Sequence, residues 1–205
     1  MKRTMIKRMC FDAIFSALSI VLYVFGPKFP LPFMFPGFLD VQFSMLPILI
    51  ATFMLGPIDG LCVVFVRFII KLLFGSSTMG VGETSDLLLS IIVVICSALV
   101  NKFILNKEEI TKNKRFVFRL ITIIFSWLIG SLVSNSFCIP MYCLMWGEEN
   151  VMGLVTIVYP FANASNWVMF YFLLAVIPFN LMLSSLVGVV TLLVDKHLLG
   201  FYNHI

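Results

Sequence analysis

An all-α integral membrane protein, a bundle of six transmembrane helices, is the fold this sequence predicts. Three observations predict it. The 205 residues are 61% hydrophobic and only 12% charged, with a mean hydropathy of +1.08. Soluble domains run roughly 45–50% apolar and about 25% charged. The apolar residues fall into six runs, broken by proline, glycine or charge. The basic residues gather at alternate breaks. This balance excludes a soluble enzyme, a secreted disulfide scaffold and a nucleic-acid-binding tail protein. Residues 1–205 are expected to form a single transmembrane domain.

A helix crossing ~30 Å of hydrocarbon needs about 20 residues. The first run, Cys10 to Gly26, follows Lys2, Arg3, Lys7 and Arg8. That start resembles a signal peptide, but no small-residue cleavage site follows it, so it reads as a retained span. The second run, Phe43 to Leu55, and the third, Leu61 to Phe74, are short. Short spans are either tilted or shielded by protein. Between them Gly56-Pro57-Ile58-Asp59-Gly60 is the strongest turn signal in the apolar region. The fourth run covers Glu83 to Leu105, the fifth Phe116 to Met145 and the sixth Asn166 to Leu193.

Charge orients these spans. Eleven of the 14 Lys and Arg residues precede the first span, separate the fourth from the fifth, or follow the sixth. The opposite loops hold Asp40, Glu83, Asp86, Glu148 and Glu149 against Lys28. Cytoplasmic loops carry the excess of Lys and Arg, so both termini are predicted to be cytoplasmic. Two outward segments are unusual. Pro27 to Gln42 interleaves four prolines with Phe29, Phe33, Phe35 and Phe38. It is too rich in proline for a helix and too apolar for a solvated loop, so it should cover lipid or a cavity. Gly75 to Glu83 is a polar, glycine-rich turn entering the fourth span.

Catalytic patterns are missing from the sequence. It has no GxxxxGK[ST], HExxH or GxSxG motif, and its histidines, His197 and His204, lie near the C-terminal end. No Cys–His grouping has metal spacing. Cys138 and Cys143 lie near a span mouth, but their spacing alone does not bring the Cβ atoms together for a disulfide. An enzyme is therefore not expected. Polar residues at membrane depth are the functional candidates, because hydrocarbon penalises them. Asn135 precedes Pro140, and Asn180 follows Pro178 by two residues. Each carboxamide sits beside a proline-distorted stretch of helix. Together they can read donors and acceptors on a neutral heterocycle; equally, they can tie helices to one another at ~0.6–2 kcal/mol each.

Arg67 and Lys71 share one face of the third span, with Glu83 and Asp86 as expected partners. Snorkelling toward that loop and contact with an anionic ligand are both open at this point. Ala13 and Ala17, with Ser16 between them, give the first span a small-residue face that a second helix can approach closely. Trp127, Trp146 and Trp167 read as interface anchors or bundle packing.

These pieces together resemble the substrate-binding S components of energy-coupling-factor vitamin transporters, most of all the riboflavin-binding members. The resemblance is densest from Phe29 to Ser90: Pro30-x-Pro32-Phe33, Phe38-Leu39, Phe43-Ser44 with Pro47, Leu55-Gly56-Pro57-Ile58-Asp59-Gly60, and Phe74 through Glu83. It continues in Asn135-x-Phe137-x-x-Pro140-x-Tyr142 and ends in Ile177-Pro178-Phe179-Asn180. It implies a multi-pass protein of a bacterial plasma membrane with one outward pocket, roofed by the first outer loop. The implied task is capture of riboflavin, carried as ligand and not as cofactor, for import with a transmembrane coupling subunit and two ATPase subunits. Gating by the Pro27–Gln42 loop and toppling of the bundle are implied in the same way. Asn135 and Asn180 match flavin-contacting positions, and Phe38, Leu39, Gly82 and Glu83 are carried over as pocket-lining residues. Ala13 and Ala17 would dock on the coupling subunit.

Three departures bear on the substrate. Leu183 stands where riboflavin members usually have a lysine. Asp40, Gln42 and Met45 replace a lysine and two aspartates, and the usual GELANF becomes Gly82-Glu83-Thr84-Ser85-Asp86-Leu87. Another vitamin or heterocyclic micronutrient is the nearest alternative to riboflavin. A self-sufficient secondary transporter is the more distant one, since the later spans lack midplane carboxylates and no inverted repeat is visible.

Overall fold

Apolar runs of this length have few ways to satisfy their backbone except as helices, and helix dominates the computed structural model. It describes residues 2–26, 29–30, 34–36, 39–74, 76, 78–105 and 111–204. The helices are α1 (Lys2–Val24), α2 (Met45–Met54), α3 (Pro57–Leu73), α4 (Val81–Val100), α5 (Lys112–Trp146), α6 (Glu148–Thr156), α7 (Trp167–Phe170) and α8 (Ile177–His204). Wider π turns extend α4 over Asn101–Leu105 and join α7 to α8 over Tyr171–Val176. Two short strands, β1 (Phe29–Pro30) and β2 (Asp40–Val41), pair antiparallel, with Phe29 opposite Val41.

Three stretches are long and apolar enough to cross a membrane: Val81–Phe103, Asn113–Trp146 and Trp167–Asp195. They correspond to the fourth, fifth and sixth runs of the sequence. The first three runs are also helical but shorter or more charged. At 23 residues α1 spans about 34 Å, yet it carries Lys7, Arg8 and Asp12 in its first half.

The shortness of α2 has a physical reason. Eight of its ten residues are buried, with Ile48 and Leu49 at 0% exposure. A helix apolar on every side belongs in the interior, and α1, α3, α4 and α8 all pack on it. It is shielded by protein, one of the two options for a short span. The turn before α3 is tighter than the sequence reading. Helix α3 starts at Pro57 and not near Leu61, because proline at the first helical position forfeits only an N–H that would lack a partner anyway. Gly56 takes a φ of 120° that suits glycine. Gly60 has a different reason: a Cβ there would stand 2.2 Å from Thr52 Oγ1, so the α2–α3 crossing depends on its absence.

Two features were not foreseen. The Glu148–Glu149 stretch, read as a loop, opens α6, with both carboxylates in the first turn, where the helix dipole favours negative charge. The proline-rich segment folds back on itself through β1 and β2.

The core runs between α2, α3, α4, α5 and α8 through Val63, Val64, Val93, Val94, Ile123 and Val187. At one end of the bundle, which bears the start of α1 and the end of α8, Arg8 meets Asp59 and the Leu55 carbonyl. At that same end Arg119 donates 3.0 Å to Asp195 and 2.8 Å to Asn101 Oδ1, with its guanidinium stacked over Phe53. The other end carries the β1–β2 hairpin and opens into a cavity.

Candidate functional site

Six helices, α1 to α5 and α8, contribute to a cavity of about 250 Å³ at the hairpin end. Its wall from α5 and α8 presents Trp127, Asn135, Phe179, Asn180 and Leu183, joined by Tyr171 from the π segment. The α3 and α4 side presents Arg67, Lys71, Gly82, Glu83 and Asp86, while Leu39 and Gln42 reach it from beside β2. Six of the sequence-selected pocket residues therefore meet in one space: Asn135, Asn180, Leu39, Gly82, Glu83 and Leu183. Phe38 lies outside the described residues, as does Lys28.

The two asparagines are held in the same manner. Asn180 Oδ1 accepts 3.0 Å from Trp127 Nε1, and its Nδ2 donates 2.8 Å to the Val176 carbonyl. Asn135 Oδ1 accepts 2.7 Å from the Tyr171 hydroxyl, and its Nδ2 donates 2.8 Å to the Ser131 carbonyl. Each carboxamide thus uses one aromatic donor and the carbonyl four residues back. A carboxamide has two N–H donors and two lone pairs on oxygen. Each has one N–H and one lone pair beyond these bonds. The helix-tying half of the sequence reading is thus observed for both asparagines.

Of the two readings of Trp127, bundle packing holds and interface anchoring does not: it is 3% exposed within the core, and its Nε1 also donates to Asn180 from the cavity wall. Trp167 is likewise buried and donates toward Glu148 at 3.4 Å. Tyr23, Trp127 and Tyr171 are cavity residues that sequence reasoning missed. Their one signal was an aromatic hydroxyl or indole N–H in an apolar run, where it needs a partner.

Arg67 does not pair with Glu83 or Asp86 as expected. It donates to Ser44 Oγ at 3.1 Å and Ser90 Oγ at 2.8 Å, and its guanidinium lies 5.0 Å from the Tyr23 ring centre. The carboxylates are engaged elsewhere. Glu83, 5% exposed, accepts 2.6 Å from Ser76 and 2.9 Å from Thr78. Asp86 accepts from the Tyr23 hydroxyl and, at 3.5 Å, from Gln42. Gly82 is needed where Thr78 and Tyr142 approach: a Cβ there would meet their oxygens at 2.9 and 3.1 Å.

Two contacts tie the hairpin end to the neighbouring elements. Phe35 packs edge-on against Phe179, with ring centres 5.2 Å apart. Pro178 lacks the N–H that would reach the Leu174 carbonyl. The Tyr159 hydroxyl stands in for it at 3.0 Å and lies 2.8 Å from the Met34 carbonyl, one donor shared by two acceptors. Burial pushes the Tyr159 pKa up, which keeps that donor protonated. Cys138 and Cys143 are free thiols, and Cys138 points at the Val81 carbonyl. On the bundle exterior Ala13 and Ala17 are exposed, while Ser16 turns inward.

Comparison with known proteins follows this geometry. Residues 7–194 match the family model described as ECF transporter, substrate-specific component. The riboflavin transporter RibU of Staphylococcus aureus (strain TCH60) is 28% identical over 206 residues, covering 97% of this chain and 94% of its own. RibU of Lactococcus lactis subsp. cremoris (strain NZ9000) is 29% identical, covering 96% and 98% respectively. Among solved structures, the S component of a bacterial ECF transporter superposes with a TM-score of 0.61 at 25% identity. It covers 95% of this chain and 96% of that one.

Proposed function

The chain belongs to the substrate-specific component family of ECF transporters, a family of multi-pass membrane transport proteins and not of enzymes, and from that premise we propose that it captures riboflavin for uptake. The observation that carries this reading is the pair of asparagines on one cavity, each fixed by an aromatic donor and each with a free N–H and lone pair. A flat heterocycle bearing alternating carbonyls and N–H groups is the complement of such a pair. Trp127, Tyr171 and Phe179 supply apolar surface for its rings. The relatives that carry the name riboflavin transporter support the same choice.

In this reading all six apolar runs cross the membrane, both termini are cytoplasmic and the cavity opens outward. The hairpin segment covers the bound ligand, pinned by Phe35 and Tyr159. Leu183, buried against the cavity where riboflavin members usually have lysine, keeps a different heterocyclic micronutrient as the alternative ligand. The test is optical. Purified protein titrated with riboflavin should quench flavin fluorescence to saturation at one equivalent. Asn135→Ala and Asn180→Ala should each weaken binding by about 10- to 100-fold, the cost of ~1–3 kcal/mol for a lost buried partner. A folded preparation that leaves flavin fluorescence unchanged would remove riboflavin.

Import itself is assigned to a complex. Family membership implies partner subunits, and the exposed Ala13–Ala17 face of α1 is the proposed contact with the transmembrane coupling subunit. Ala13→Leu together with Ala17→Leu should abolish uptake in cells while binding by the purified protein stays unchanged. Undiminished uptake would favour a self-sufficient transporter.

A further inference from the structure

A second cavity, of about 40 Å³, lies between the end of α5, α6 and Trp167 of α7. Among the described residues, Ile139, Val151, Leu154 and Val155 line it together with the rings of Trp146 and Trp167. None of the described residues lining the larger cavity comes from α6, so this helix walls the smaller one alone. Water has little to hold it there, since a trapped water needs two to four polar partners. Trp167 Nε1 is turned toward Glu148 at 3.4 Å, and the Tyr171 hydroxyl is spent on Asn135 at 2.7 Å. A cavity lined in this way stays dry and has room for an apolar group.

Thr78, Tyr142 and Tyr171 line both cavities and form the partition between them. Tyr142 stacks on Trp146, with ring centres 5.2 Å apart, and its hydroxyl stands beside Thr78 Oγ1 over Gly82. Tyr142 follows Asn135 by seven residues on α5, about 10 Å at 1.5 Å per residue. A flat ligand of three fused rings, held at its polar edge by the asparagines, therefore brings its far edge to the level of Tyr142. We propose that the smaller cavity is an alkyl subsite: it takes a methyl- or ethyl-sized substituent on the ligand edge opposite the asparagines, and Tyr142 is the side chain that turns to admit it. The ligand class this selects is an alkyl-substituted flat heterocycle over its unsubstituted parent. The inference rests on the larger cavity being the ligand site, with the asparagines on the polar edge.

The test varies the substituent and the cavity together. Riboflavin, an analogue lacking the methyl groups of its benzenoid ring, and an analogue with ethyl in place of one methyl are titrated by fluorescence quenching. The wild type should prefer riboflavin to the demethylated analogue by about five- to tenfold, as for burial of methyl groups. Val155→Met, which fills the cavity, should cut that preference to less than about twofold by weakening riboflavin alone. Val155→Ala, which enlarges it, should shift the preference toward the ethyl analogue by about fourfold, as for one buried methylene. Equal wild-type affinities for riboflavin and the demethylated analogue, or variants that weaken all three flavins alike, would overturn the proposal. So would a Val155→Met protein with a raised unfolding midpoint and an intact preference, because the void would then be a packing defect.

Silence of every flavin with folded protein would instead sink the riboflavin reading, and a second arm then decides the subsite alone. Xenon, a small apolar probe, is added under pressure while the methyl resonances of Ile139 and Val151 are followed. Saturable shifts in the wild type that disappear in Val155→Met support the alkyl subsite, and no saturable shift in the wild type refutes it.

Discussion

The two ends of this bundle handle charge in opposite ways. At the end that bears the start of α1 and the end of α8, opposite charges meet directly: Arg8 on Asp59, and Arg119 on Asp195 and Asn101. At the cavity end, Arg67, Glu83 and Asp86 do not pair with one another and bind serine, threonine, tyrosine and glutamine instead. Direct pairing fixes helices: Arg119 joins α5 to α8 and to the end of α4 while stacking on α2. Pairing through neutral hydroxyls holds each charge in place without cancelling it. One end cancels its charges in pairs, and the other holds them apart.

The sharpest way to break this contrast is to remove one partner of the more buried pair. Arg119→Met leaves Asp195, whose side chain is 6% exposed, uncompensated. Stability should fall by about 3–5 kcal/mol, read as a lowered unfolding midpoint in detergent. Adding Asp195→Leu should recover most of it, since a buried pair replaced by apolar groups is often neutral. Failure of the double variant to recover would mean that Arg119 acts mainly through Phe53 and Asn101.

A smaller effect is expected from Asn180→Ala at the other end. It strands the Trp127 N–H, so the unfolding midpoint should fall by the equivalent of about 1–3 kcal/mol, with any loss of ligand affinity coming separately from the missing carboxamide. The smallest comes from Arg8→Gln. Arg8 is about half exposed, at 47%, and exposed pairs contribute at most about 1 kcal/mol. A midpoint shift as large as that of Arg119→Met would erase the distinction between the two pairs.

The long apolar stretches were legible because hydrocarbon leaves so little choice: Val81–Phe103, Asn113–Trp146 and Trp167–Asp195 lie within three residues of the runs read from the sequence, though α8 itself begins only at Ile177 and continues to His204. The asparagines were legible for the same reason, as polar groups in apolar runs beside Pro140 and Pro178. Three things were not. α6 hid because Glu148-Glu149-Asn150 reads as loop to any composition rule, and its helix is set by end effects. The partners of Arg67 hid because Ser44 and Ser90, 23 residues away on either side, carry no signal that distinguishes them from other serines. Trp127 hid because a tryptophan inside a span looks identical whether it packs or orients an asparagine 53 residues later. The last two misses are contacts between elements, where local pattern has nothing to report.

The π turn over Tyr171–Val176 has a consequence for what the chain can tolerate. In an unbroken α-helix, nine residues advance by about 900°, which would set Tyr171 and Asn180 on opposite sides. Both nevertheless line the same cavity, because the wide turn absorbs rotation equivalent to about one residue. The segment is in effect a spare residue in the helix. A chain shortened by one position there could close the turn to a plain α-helix and keep Tyr171 and Asn180 in phase, because eight residues at about 100° reach the same side. A chain that kept its length but lost the wide turn would instead swing Tyr171 off Asn135 and out of the cavity. Length and phase are separable here, and the wide turn is what separates them.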